Sequence, residues 1–134
     1  MAIQLESKID YLSLARKLEK PVREAGQAIL DIYYQGSAVQ IKDDGSPVTK
    51  ADLASEAILL PAISVAAPSI QIVSEENATS HGLAVTDRFF LVDPLDGTKE
   101  FLKADNKGAF TVNIGLVEGG MPVMGIVYAP ALDR

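Results

Sequence analysis

The chain has 134 residues, 48% of them hydrophobic, and a formal net charge of −6. That is enough for one domain around one core, and the acidic balance argues against a nucleic-acid polymer as partner, since phosphate chains are held by basic surfaces. With no cysteine and a single histidine, His81, the sequence excludes disulfides, thiolate metal sites and a histidine-rich metal centre.

Taken in order, residues 1–10 lack the basic segment and apolar run of a signal peptide. No later stretch approaches the roughly 20 apolar residues of a bilayer span, so the expected location is cytoplasmic. Leu5, Ile9, Leu12, Ala15, Leu18, Val22, Ala25, Ile29 and Ile32 recur at three- and four-residue steps, the spacing of an amphipathic helix. Pro21 is expected to break or restart it, and Gly36 to follow its end near Tyr34. Tyr33 and Tyr34 read as packing residues. Residues 39–42 alternate as a short strand, and residues 43–47 form a loop. Thr49 is placed to cap a helix from Lys50, with Leu53, Ala57, Ile58 and Leu60 on its buried side. Asp52 then falls in the first turn, where the helix dipole alone would favour a carboxylate. Pro61 should end or kink that helix.

Residues 70–73 read as an apolar strand that runs into Ser74-Glu75-Glu76-Asn77, and His81 as a solvated loop residue. A second strand, residues 89–92, runs into Asp93-Pro94-Leu95-Asp96-Gly97-Thr98. Proline has no N–H for a ladder, so pairing is expected to stop at Asp93 and the chain to turn. Thr98 is then a candidate cap for a short helix through Phe101. If the two strands lie side by side, Glu75, Asp93 and Asp96 converge at one sheet edge, where they would repel one another without cations. Two hard-oxygen ligands on a tight turn, beside a hydroxyl and free N–H groups, suit Mg²⁺ and phosphate. An EF-hand loop is excluded, because its third position would be Leu95. The haloacid-dehalogenase pattern, with one residue between its aspartates, fits poorly because Pro94 and Leu95 both intervene. Residues 109–117 and 121–128, joined by Glu118-Gly119-Gly120, read as a hairpin, with no terminal element expected after Ala129-Pro130.

Three motifs in this order, Val48-Thr-Lys-Ala-Asp52, Glu75-Glu76 and Asp93-Pro-Leu-Asp-Gly-Thr98, resemble the lithium-sensitive, Mg²⁺-dependent inositol monophosphatase superfamily. Within it, Lys99-Glu100-Phe101, Phe110-Thr-Val-Asn-Ile-Gly-Leu-Val and Gly125-Ile-Val-Tyr-Ala-Pro130 resemble the CysQ-type 3′(2′),5′-bisphosphate nucleotidase branch. Inositol monophosphatases usually carry Thr-Asn-Phe after the Asp-Gly-Thr, and fructose-1,6-bisphosphatases Ser-Ser-Asn. The resemblance implies an α+β fold, helices on a mainly antiparallel sheet, with residues 1–134 forming one metal-binding domain equivalent to the N-terminal half of the family's layered sandwich.

The resemblance also implies roles. Glu75, Asp93, the backbone carbonyl of Leu95 and Asp96 would coordinate two or three Mg²⁺ ions. Glu75, Leu95, Asp96, Gly97 and Thr98 would border the substrate phosphate. Asp52 and Thr98, with Glu75, would form the catalytic group, a water attacking phosphorus in line with no covalent phospho-enzyme. The implied substrate is adenosine 3′,5′-bisphosphate, a by-product of sulfur metabolism, cleaved to AMP and phosphate; inositol phosphate is the alternative. Members of the family are about twice this length, and their second half supplies a Trp-Asp motif; this chain has no tryptophan, and Asp133 lies in no such context. The contrasting expectation is a truncated chain that keeps partial Mg²⁺ and phosphate binding without turnover, and that self-associates or pairs with a C-terminal half.

Overall fold

The computed structural model describes residues 10–34, 47–74, 87–103 and 109–134. Helix α1 spans Tyr11–Tyr33 and opens on Asp10, whose carboxylate accepts from the Ser13 amide at 3.1 Å, satisfying one of the donors that a helix start leaves over. Its buried stripe is Leu14, Leu18, Val22, Ala25, Ile29 and Tyr33, one residue out of step with the expected stripe at its start, so that Leu12 is 61% exposed. Pro21 does not break α1. It removes one backbone bond, but Leu18 and Val22 on either side are buried in the core, and tertiary packing outweighs a penalty of about 3 kcal/mol.

Helix α2 spans Pro47–Ala66, three residues earlier than the sequence suggested. Proline suits a first helical position, where its missing N–H would have no partner anyway. Thr49 therefore lies inside the helix rather than at its cap, and Asp52 lies beyond the first turn. The helix runs through Pro61 without ending. Its core stripe is Ala51, Ser55, Leu59 and Ile63, which leaves Leu53 and Ala57 exposed. Ile58 and Leu60 do pack against the core, partly buried; the expected face erred at Leu53 and Ala57 because it followed the apolar residues and missed a stripe that contains a serine.

Four strands follow: β1 (Gln71–Ser74), β2 (Arg88–Asp96), β3 (Thr111–Glu118) and β4 (Met121–Tyr128), in spatial order β1-β2-β3-β4. β1 pairs parallel with β2, while β2–β3 and β3–β4 are antiparallel. The sheet is thus mixed with antiparallel pairing in the majority, and with two helices on it the fold is α+β. Phe90, Val92, Val112, Ile114 and Leu116 turn inward to the helices; Leu91 and Val127 lie on the other face, 47% and 67% exposed. The hairpin turn is Gly119-Gly120, both at positive φ (57° and 79°), as a two-residue connection requires.

A six-residue helix α3 (Thr98–Lys103) follows β2, and its Phe101 packs with Tyr33 and Phe110 at centroid distances of 5.5 and 5.4 Å, while Tyr33 and Phe110 lie 4.8 Å apart. Tyr33 is buried as expected, whereas Tyr34 is 65% exposed. The Phe101 amide bonds to the Gly97 carbonyl at 3.0 Å, so Gly97 (φ 88°), rather than Thr98, stands at the cap. A 3₁₀ turn at Pro130–Leu132, where no terminal element was expected, closes the chain onto α1. There Asp133 receives bonds from Arg23 and from the Tyr128 hydroxyl, a fastening role. The expected strand at residues 39–42, the loop at residues 43–46, Gly36 and His81 lie outside the described residues. Among the described residues, no helix is long and apolar enough to cross a membrane.

Candidate active site

The parallel pairing of β1 and β2 sends both strands toward the same end of the sheet. Ser74, the last residue of β1, sits beside Val92, one residue before Asp93. Glu75 and Glu76 lie outside the described residues.

Pro94 does not end β2. The pairing continues across it with a change of register: Asp93 pairs with Asn113 and Asp96 with Thr111. Two residues of β2, Pro94 and Leu95, therefore stand opposite the single residue Val112, which makes a β-bulge, a site where a strand tolerates proline. The bulge has a chemical consequence. In a regular strand, residues three apart point to opposite faces. Here Asp93 and Asp96 pair with residues two apart on β3, which share a face; the Asn113 side-chain amide donates to the Thr111 hydroxyl at 2.9 Å on that same side. The extra residue thus brings both carboxylates onto one side of the sheet edge. Pro94 and Leu95 are driven into the core instead, Leu95 at 2% exposure.

Local bonds hold this geometry. The Leu95 amide donates to Asp93 Oδ1 at 3.3 Å, and the buried Ser55 hydroxyl of α2 donates to the Pro94 carbonyl at 2.9 Å. Asp52 lies one turn earlier on the same helix face and is 5% exposed, a rare burial for a carboxylate. Glu56, the residue after Ser55, accepts a bond from the buried Ser74 hydroxyl at 2.7 Å. Asp96, Gly97 and Thr98 border the open edge, Asp96 and Thr98 being exposed.

Two carboxylates on one side of a bulge, with backbone carbonyls between them, are a hard-oxygen donor set of the kind Mg²⁺ or Ca²⁺ takes. Among the described residues, no group of three or more His, Asp or Glu side chains is placed to hold a metal ion. Of the residues singled out in the sequence, the structure brings Asp93, Leu95 and Asp96 together in the bulged end of β2, followed at once by Gly97 and Thr98 at the start of α3, and sets the face of α2 that carries Asp52 against it. Ser55 and Glu56 were not singled out. A serine in the stripe Ala51, Ser55, Leu59, Ile63 is the signal that would have found the first of them.

A family model described as the inositol monophosphatase family matches residues 11–134. The 3′(2′),5′-bisphosphate nucleotidase CysQ of Salmonella typhimurium is 45% identical over 113 residues, covering 82% of this chain and 45% of that protein. The crystal structure of CysQ from Bacteroides thetaiotaomicron, a bacterial member of the inositol monophosphatase family, superposes with a TM-score of 0.68 at 36% identity, over 92% of this chain and 44% of that one. An inositol monophosphatase from Zymomonas mobilis superposes with a TM-score of 0.73 at 26% identity, over 94% of this chain and 47% of the other. The chain spans about half the length of the curated relatives it matches.

Proposed function

The chain belongs to the inositol monophosphatase family, and we propose that it carries the metal- and phosphate-binding part of a Mg²⁺-dependent phosphomonoesterase, a 3′(2′),5′-bisphosphate nucleotidase acting in the cytoplasm. The observation that carries this reading is the bulge that turns Asp93 and Asp96 to one side. Identity favours the nucleotidase branch, 45% and 36% against 26% for the inositol monophosphatase; the high structural likeness to the latter keeps inositol monophosphate as the second reading.

In this proposal Asp93, Asp96 and the Leu95 carbonyl, joined by Glu75, hold the cations. Mg²⁺, when bound, supplies Lewis-acid polarisation of the phosphoryl oxygens and lowers the pKa of a water. The chain's own residues do the rest. Gly97 and Thr98 offer backbone N–H groups to the phosphate. Asp52, through the Thr98 hydroxyl, orients the attacking water and takes up its proton. The water oxygen bonds to phosphorus as the ester P–O bond breaks, the proton taken from the water is balanced by one delivered through solvent to the leaving ribose oxygen, and adenosine 3′,5′-bisphosphate yields AMP and inorganic phosphate with Asp52 returned to its carboxylate form.

The test is a thermal melt with millimolar Mg²⁺, then with adenosine 3′,5′-bisphosphate or inositol monophosphate added. A ligand bound only by the folded state raises the midpoint by mass action. We expect a rise with Mg²⁺ and a further rise with the nucleotide that exceeds the rise with inositol monophosphate. The reverse order would favour the second reading, and a midpoint blind to all three would overturn both.

A further inference from the structure

One turn of α2 reaches both strand ends of the site. Asp52, Ser55 and Glu56 are spaced i, i+3, i+4 and so share a helix face. Ser55 is fully buried, and its hydroxyl bonds to the Pro94 carbonyl across 39 residues of sequence. That carbonyl and the Leu95 amide belong to one peptide unit. Its oxygen is held by Ser55 and its N–H by Asp93 Oδ1, while the Pro94 ring fixes the φ before it. The unit that separates the two candidate metal-binding carboxylates is therefore gripped at both ends. Glu56 does the corresponding work on β1: its carboxylate takes the hydroxyl of Ser74, which is fully buried and directly precedes Glu75.

We propose that Ser55 and Glu56 are positioning residues, which lock the Asp93–Asp96 bulge and the end of β1 to the helix face that carries Asp52. The proposal rests on the metal-site reading above. A hydroxyl that merely satisfied a buried carbonyl would affect stability alone. A positioning hydroxyl also sets how well the carboxylates meet a cation before any cation is present.

Ser55→Ala, Ser55→Thr, Glu56→Ala and Glu56→Gln test this by two readouts that need no turnover. The first is amide hydrogen exchange in metal-free protein; the second is the Mg²⁺ concentration that gives half of the maximal melting shift. In Ser55→Ala, exchange at Leu95 and Asp96 should accelerate while Ile114 and Leu116 in β3 stay protected. The half-effect Mg²⁺ concentration should rise by about 10-fold, the low end of what losing a ligand's supporting bond costs. Ser55→Thr, which keeps the hydroxyl, should restore both. If Ser55→Ala does not fold, the half-buried Glu56 carries the test: Glu56→Ala should raise the half-effect concentration and Glu56→Gln, which still accepts from Ser74, should not. A wild-type response to Mg²⁺ that the Ala variants share unchanged would overturn the positioning roles and leave the metal site standing. A wild-type chain with no Mg²⁺ response would overturn the metal site and the positioning roles with it.

Discussion

Asp96 shows how much a single side chain carries here. It is the exposed member of the carboxylate pair, and the bulge rather than local turn chemistry decides which way it faces. At a Mg²⁺ concentration 100-fold above its Kd, a folded-state ligand adds about 2.7 kcal/mol of stability. Asp96→Asn keeps the shape and removes the charge, so the variant should melt as the wild type does without metal and gain from Mg²⁺ no more than it gains from NaCl of matched ionic strength. An unchanged titration would make the pair structural. Thr98→Ala separates the two halves of the proposed chemistry, since that hydroxyl is assigned to the water and not to the metal; the Mg²⁺ titration should survive while any phosphate release falls, and equal loss of both would contradict the assignment. Tyr11 lies far along the chain from the site, and its role is mechanical. Its hydroxyl donates to Glu118, which also pairs with Arg88 at 2.7 Å, tying the start of α1 to the hairpin. That hydrogen bond first, and burial second, raise the phenol above its ordinary 10.0. The folded chain therefore favours the protonated phenol more than the unfolded chain does, so this contribution is whole below pH 10.0 and fades as pH climbs past it. Tyr11→Phe should melt below the wild type near neutral pH, with the gap closing in alkali; a gap independent of pH would refute the linkage.

At the scale of elements, glycine in mid-helix ordinarily weakens α1, and replacing it by alanine would add about 1 kcal/mol of helix propensity. Gly26 is an exception, because a Cβ there would stand 2.6 Å from Tyr128 Cε2 and 2.9 Å from Pro130 Cβ. Neither neighbour yields easily: the Tyr128 ring is held by its bond to Asp133 and by the Arg23 guanidinium 5.3 Å over its centroid, and Pro130 is a rigid ring. Overpacking costs about 1–3 kcal/mol, so Gly26→Ala should lower the melting midpoint despite the better helix former; a higher midpoint would show that β4 and the 3₁₀ turn relax freely. The same contact explains where the sequence was and was not legible. Long periodic segments declared themselves, and so did the Gly119-Gly120 hairpin, because local chemistry decides them. The prolines misled, since the cost of each is local while the packing that overrides it is not. Pro21 and Pro61 sit inside helices whose buried stripes outlast one lost bond, and Pro94 is absorbed by a bulge that only the register with β3 reveals. The acidic motif could be read as a turn bearing two carboxylates, but their common side depends on Thr111 and Asn113, residues that no reading of the motif alone would consult.

Across the whole molecule, the net charge of −6 complicates any test with a divalent cation. A chain with excess carboxylates repels itself, and added salt of any kind relieves that repulsion by screening; at 0.1 M ionic strength the Debye length is about 10 Å. Mg²⁺ could thus raise the melting midpoint without occupying a site. Screening and site binding differ in three ways that can be measured together. Screening follows ionic strength, so NaCl matched to the MgCl₂ series should reproduce it; binding at Asp93 and Asp96 should exceed the matched NaCl effect. Screening shows no saturation at low millimolar concentration, whereas a site follows RT ln(1 + [L]/Kd). Screening is also almost indifferent to one charge among eighteen acidic residues, so Asp96→Asn should keep the NaCl response and lose the Mg²⁺ excess. If the excess persists in that variant, or if NaCl matches MgCl₂ throughout in the wild type, the acidic bulge is a feature of the surface field and not a metal centre.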